Sequence, residues 1–382
     1  MKVIFEKTIL LDAILPALGS VSGKNTIPAI EGISLNCTED GCCVITAYDL
    51  EKGYRTEISC NVDTKGHYII NAQKLAQIVR AMPSGFITIC VDANNIAKIS
   101  SGKSEFEIYA MNGEDFPSLP ALTGERGFEI SRGVLRNLIN KTQFAVAQND
   151  MRPELNGSFF KIEGNKMTVV SCDGSKMAIK EQITDIENKN DDNSELDMEF
   201  IIPGKTLIEL MKLLNDTDDT VSIRLTRKYV IFILNNVIFF SRLIENEYID
   251  YKRFLPKSAK TYVTIDCESF LVALERASLV TEDKTMGQAK PTLRCNFEDD
   301  MLKLSSVSVS GKLYDEIFTQ KSGDDIMIGF NCRYLLEALR SCDSEKLKLS
   351  LTSPLMGMTI EPAEPMEDGS FTFLVLPVKI KD

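Results

Sequence analysis

Histidine is nearly missing from this 382-residue chain and tryptophan is missing altogether; His67 is the single imidazole. A hydrolase built on a Ser–His pair, or a zinc enzyme with several imidazole ligands, must use His67 or do without. His67 stands at the start of a strand-like segment, Gly66-His67-Tyr68 before Ile-Ile-Asn, where a structural role is the simpler reading. No P-loop, G-x-S-x-G or paired-carboxylate motif occurs, which leaves an enzyme with an unrecognised site as a minor alternative. The ten cysteines (37, 42, 43, 60, 90, 172, 267, 295, 332 and 342) include no C-x-x-C spacing, so a zinc ribbon or a dithiol redox motif is not expected. Neither a metal nor any other cofactor is expected.

Long apolar runs are lacking too. The most apolar stretch, 230–240, is broken by Asn235-Asn236 and predicts two strands and a turn. It is far short of the roughly 20 residues a membrane helix requires, so no membrane association is expected. The N-terminal segment MKVIFEKTILLDAIL is amphipathic and carries Glu6 and Asp12, unlike a secretion signal. Ten cysteines in such a chain predict reduced thiols and a cytoplasmic location. Positive charge is in deficit: 43 Lys and Arg against 55 Asp and Glu give a net charge of −12. That balance excludes nucleic-acid binding through whole-surface basicity, although not through a local basic stripe.

What is present is repetition. Apolar i, i+3, i+4 spacing predicts helices near 8–20, 132–147 and 267–280. Each follows a strand residue at one interval: Phe5, Leu10, Ile14; Ile130, Leu135, Ile139; Ile265, Phe270, Leu274. A second helix recurs in HYIINAQKLAQIVRAM, EFIIPGKTLIELMKLL and IMIGFNCRYLLEALRS, introduced by Asn71, Pro203 and Asn331. Asn caps free backbone N–H groups at a helix start, and Pro is tolerated there because its missing N–H is not needed. The marker-to-marker distances are 65 (Leu10 to Leu75), 72 (Leu135 to Leu207) and 65 residues (Phe270 to Leu335). Alternating strand patterns follow each second helix. Agreement of element type, order and interval predicts an α+β protein of three similar domains, 1–127, 128–258 and 259–382. Each holds two helices packed on antiparallel sheet. The acidic stretch at 185–195 reads as a loop inserted in the middle copy.

Charge follows this organisation. The six predicted helices carry +5 and the remainder −17, so a basic helical surface is set against an acidic exterior. A −12 chain with such a surface holds phosphate weakly. Phe144, Phe270 and Tyr334 are too few to form a base-stacking platform.

Several segments together resemble the bacterial DNA polymerase III β subunit, the sliding clamp, along the full length. They include TIPAIEGISL (26–35), TAYDLE (46–51), MNGEDFPSLP (111–120), RPELNGSFF (152–160), SCDGSKMA (171–178), IDYKRFLP (249–256), IGFNCRYLLEAL (328–339) and FTFLVLPVKI (371–380). The resemblance implies a non-catalytic processivity factor: a head-to-tail homodimer whose six clamp domains form a ring around duplex DNA without reading its sequence. Twelve helices spaced by roughly 8–10 Å leave a hole of at least ~20 Å once a helix diameter is subtracted. The implied partners are the polymerase III catalytic subunit, the clamp loader, other DNA polymerases, ligase and mismatch-repair proteins, in a cytoplasmic, nucleoid-associated setting. A scaffold of repeats for partners other than DNA is the alternative.

By the same resemblance, Lys24, Lys74, Arg80, Asn149, Arg152 and Lys205 match positions that approach DNA. Phe106 and Ile108 face Leu279 and Val280 across the dimer seam; ordinary core alternation also accounts for the first two, and Lys103 and Glu105 are candidate charged partners there. The family's peptide pocket corresponds to Leu155, Cys172, Gly174, Ser175, Lys176, Met177, Ile249, Arg253 and Phe254. From the last copy it takes Asn331, Tyr334, Leu355, Gly357, Leu374, Leu376, Pro377, Val378 and Lys379. Met177, Leu155, Leu376 and Val378 suit an adaptable apolar surface, with Lys176 and Arg253 as expected rim cations. Asp173-Gly174 alone predicts a tight turn. Ser175-Lys176 stands where many relatives have His-Arg, Ile249 where Pro is common, and Pro153-Glu154 where aromatics often approach DNA. Lys381 and Asp382 extend past the usual end.

Overall fold

The computed structural model describes residues 1–23, 27–256, 258–281, 291–309 and 311–380. Six α-helices are present among them: α1 (Lys7–Ala17), α2 (Ala72–Ala81), α3 (Arg132–Thr142), α4 (Gly204–Leu213), α5 (Cys267–Thr281) and α6 (Cys332–Arg340). Each begins directly after a strand or one residue beyond it, at the places the repeated pattern predicts. Asn71 and Asn331 cap α2 and α6, accepting hydrogen bonds from the Lys74 and Arg333 amides at 3.1 Å. The 230–240 stretch forms strands Tyr229–Leu234 and Val237–Arg242, and Asn235 adopts positive φ in the turn.

Contacts divide the chain into two units, one of 1–133, 186–195 and 205–243, the other of 134–185, 196–204 and 244–382. In the first unit fourteen antiparallel strands form one hydrogen-bonded series. Strand Lys52–Ser59 of the first repeat pairs with Val237–Arg242 of the middle repeat, so one sheet runs through both repeats. The segment at 185–195 is more than a loop: Glu187–Asn188 pairs with Arg126–Ser131 and extends this series at its end.

The second unit holds a series of twelve antiparallel strands. Here Lys176–Ile183 of the middle repeat pairs with Gly369–Val375 of the last. Alternation along Lys176–Ile183 sets two faces. Ala178 joins the large core that packs α5 and α6 on their sheet, with Phe270, Leu274, Leu335 and Leu339. Met177 and Ile179 join a second core on the opposite face, with Leu155, Phe159, Cys172 and Leu374.

Among the described residues, two long strands inside these series each leave one stretch without a partner on one side. Residues 104–109 of strand Ser104–Asn112 pair with Ile96–Ser101 on one side, and the rest of the strand turns to Gly66–Asn71. Residues 312–318 of strand Lys312–Gly323 pair with Met301–Val307, and the rest with Thr261–Asp266.

Candidate functional site: an apolar pocket and two cationic helix faces

The second core of the second unit has an exposed rim. Leu155, Cys172, Met177 and Leu374 are buried in it, and Ile249, Tyr248, Tyr251 and Leu255 pack against it. Tyr248 lies flat on Phe159, ring centres 5.1 Å apart. The turn after strand Lys166–Cys172 is fixed by Asp173, whose side chain accepts from the amides of Ser175 (2.8 Å) and Lys176 (2.9 Å). Gly174 has φ +85° there, which favours glycine. The Ser175 carbonyl then accepts from the Leu376 amide at 2.9 Å, and the Gly329 carbonyl accepts from Val378 at 2.8 Å. These bonds tie the segment with Pro377 and Val378 to Ser175 and Gly329. A Cβ on Gly357 would lie 2.7 Å from Leu374 Cδ1, so a side chain there requires Leu374 to shift.

Around this floor, Leu376 (40% exposed), Leu355 (79%) and Phe254 (60%) present apolar surface to solvent. Arg253 and Lys379 are exposed. Arg253 is paired with its near neighbour Asp250, at 2.6 Å. Lys176 departs from the expected rim role. It is 7% exposed, bonds Asp173 at 2.6 Å and Glu337 at 3.3 Å, and lies over the Tyr334 ring. Its charge is therefore engaged inside the chain, and Arg253 and Lys379 stay exposed at this rim. Asn331 caps α6 rather than facing outward for recognition.

The helical charge differs in detail from the sequence count. Arg132 is buried, donating to the Thr220 carbonyl and to Asn235 Oδ1. Lys141 is buried against Asp343, and Lys7 donates to the Arg80 and Met82 carbonyls at the end of α2. Lys212, Arg276, Arg333 and Arg340 are paired with Glu209, Asp315, Glu337 and Glu275. Lys74 and Arg80 on α2 and Lys205 on α4 stay exposed, without an ion pair among the described residues. The +5 surface thus reduces to two cationic helix faces, both in the first unit.

Lys24 lies outside the described residues, as do Lys381 and Asp382. Asn149 is exposed with φ +59°. Arg152 is exposed and clasps Asp150 with two bonds of 3.0 and 3.1 Å, which hold the Asp150 carboxyl down at about 2. Phe106 (44%) and Leu279 (80%) are exposed, with Ile108 and Val280 half-buried. Glu105 pairs with Lys98 on its own sheet at 2.6 Å.

His67 faces Ser34 Oγ at 2.8 Å and packs on Gly113, and burial lowers its pKa. It is a structural residue. Among the described residues no group of His, Cys, Asp and Glu has the arrangement to hold a metal ion, and no helix is long and apolar enough to cross a membrane.

Family models of the DNA polymerase III beta subunit match in order: the N-terminal domain at 1–120, the central domain at 129–250 and the C-terminal domain at 252–379. The chain belongs to the DNA polymerase III beta-subunit family. The beta sliding clamp of Bacillus subtilis is 28% identical over 389 residues, covering 99% of this chain and all of the relative. That of Staphylococcus aureus is 28% identical, covering 95% of each. Among solved structures, a putative DNA polymerase III beta subunit from Eubacterium rectale is 30% identical, with TM-score 0.90 and complete coverage of both chains. The Bacillus subtilis sliding clamp superposes with TM-score 0.90 at 27% identity, again over both whole chains. The three repeats are thus clamp domains. The function is that of a DNA sliding clamp, a processivity factor and non-catalytic accessory subunit of DNA polymerase III.

Proposed function

We propose that two copies of the chain join head to tail into a six-domain ring around duplex DNA, with domains at 1–127, 128–258 and 259–382. Two open strand edges, one in the first repeat and one in the last, support this reading, since unpaired edges favour strand pairing. A heterologous contact whose rotation closes makes a ring. Phe106 and Ile108 meet Leu279 and Val280 at the seam, where exposed apolar surface on both sides is covered. Lys74, Arg80 and Lys205 line the hole with Asn149 and Arg152. They touch phosphate without reading bases, which permits sliding.

The pocket with Leu155, Met177, Leu374 and Leu376 captures short apolar segments of the polymerase III catalytic subunit, the clamp loader, other polymerases, ligase and mismatch-repair proteins. The observation that carries this is a buried apolar floor with an exposed leucine and phenylalanine rim and one available arginine. Ring closure keeps each captured partner at high effective concentration near DNA, so a modest peptide affinity suffices. The ring works in the cytoplasm, at the nucleoid.

The test is a solution mass combined with capture on an immobilised apolar clamp-binding peptide. A dimer retained by the peptide is expected. A monomer that ignores it overturns the proposal.

A further inference from the structure

Four cysteines, 37, 42, 43 and 60, converge at one end of the hairpin made by strands Gly32–Cys37 and Cys42–Tyr48. Cys37 and Cys43 are register partners. One step outward, the Thr38 amide donates to the Cys42 carbonyl at 3.0 Å. Positions 38 and 42 are therefore the hydrogen-bonded pair, and 37 and 43 the non-hydrogen-bonded pair, whose side chains approach more closely. Such a pair has Cα atoms ~4.5 Å apart, inside the ~4.4–6.8 Å that a disulfide spans. The two sulfurs already lie 3.1 Å apart.

Cys60 closes on the same point. Its amide donates to the Gly41 carbonyl at 2.8 Å, and its half-buried thiol lies near Cys37. Cys37 thus has two S–H neighbours. The hydrogen bond with Cys43 is the main reason its pKa falls below the ordinary thiol value, against the opposing effect of burial. Burial pushes Cys60 up to about 12, and the contact with Cys37 raises Cys43. Register and the 3.1 Å sulfur–sulfur contact make Cys37 and Cys43 the reacting pair, and the contact with Cys43 favours the thiolate on Cys37. Exposures of 2% for Cys37 and 0% for Cys43 select a small oxidant over a bulky one.

We propose that Cys37 and Cys43 form a peroxide-sensitive dithiol site, with Cys37 as the attacking sulfur and Cys43 as the resolving one. The Cys37 thiolate attacks one oxygen of hydrogen peroxide. The O–O bond breaks, and the departing hydroxide takes up a proton as water, leaving Cys37 as a sulfenic acid. The Cys43 sulfur then attacks the Cys37 sulfur, loses its proton and expels hydroxide as a second water. Two thiols are oxidised to one disulfide, and one peroxide is reduced to two waters. The bond staples the hairpin whose strand Cys42–Tyr48 packs under α1.

The experiment treats the full-length reduced chain with hydrogen peroxide, alkylates it after denaturation and maps linkages by digestion and mass spectrometry. A 37–43 linkage lacking two hydrogens, reversed by reductant, is expected. Cys42, Cys60 or Cys90 oxidised while 37 and 43 are recovered as alkylated thiols would overturn the proposal, and this arm depends on no variant. In Cys43→Ser, dimedone labelling of Cys37 or a 37–60 linkage is expected; a Cys37 that stays a free thiol there contradicts its role as nucleophile. Oxidised glutathione should leave Cys37 without an adduct, and an adduct at Cys37 overturns the selection for a small oxidant.

Discussion

Lys176 and Arg253 show what decides the role of a charged residue beside the pocket. Both were expected as rim cations, yet Lys176 is held by Asp173 and Glu337 over Tyr334, while Arg253 is 84% exposed in its side chain. Removing one partner of a buried ion pair leaves the other charges uncompensated. Lys176→Ala should therefore lower unfolding stability by about 3 kcal/mol, whereas Arg253→Ala should change it by no more than about 0.5 kcal/mol. Denaturant midpoints of the two variants measure this. The Asp150–Arg152 clasp gives a pH signature. Hydrogen bonds from Arg152 depress the Asp150 carboxyl from 3.8 to about 2, so the clasp is complete above the ordinary carboxylate value and is lost as pH falls toward 2. NMR titration should place Asp150 near 2 in the native chain and return it toward 3.8 in Arg152→Ala.

At the scale of elements, all six helices were legible in the sequence, because each buries an apolar stripe at helical spacing. On α2 this stripe is Ala72, Leu75, Ala76 and Val79. The strands of 229–242 were legible for a similar reason, with Asn235-Asn236 supplying the turn. Helical charge was less legible. A count cannot distinguish a cation that faces solvent from Arg132, which turns back onto the Thr220 carbonyl, or from Lys7, which closes the end of α2. Nor did composition reveal that Glu187–Asn188 pairs as a strand, since two acidic-loop residues carry no period to read. That Leu155, Cys172, Met177 and Leu374 share one apolar core joins residues of both repeats, and the engagement of Lys176 depends on Glu337, 161 residues away in sequence. For α2 and α4, reversing Lys74, Arg80 and Lys205 to Glu should weaken DNA contact and slow loading. The salt dependence of DNA binding should drop by about 0.9 in logarithmic slope for each phosphate contact removed. An unchanged slope would show that these helices do not face the duplex.

At the scale of the molecule, the proposed ring requires a closed seam, and the proposed partner capture requires the pocket rim. Phe106→Asp with Ile108→Asp places charge on an open edge where apolar cover is expected, and should shift the dimer toward monomer by at least ~100-fold in dissociation constant, as followed by sedimentation. Leu376→Asp alters the pocket at a partly exposed position and should weaken peptide binding by at least ~tenfold while leaving the dimer intact; calorimetry and sedimentation on the same sample separate the two effects. In the proposed dimer the net charge of −12 takes on a different sense: two copies total −24, a balance that disfavours stray contact between DNA and the acidic surface away from the helices. Weak phosphate contact is compatible with firm retention only if topology holds the ring in place. The most direct test loads the protein on nicked circular DNA and measures its retention before and after the circle is cut to a linear form. A topologically linked ring stays on the nicked circle and slides off once ends are made; equal loss from both substrates would contradict encirclement.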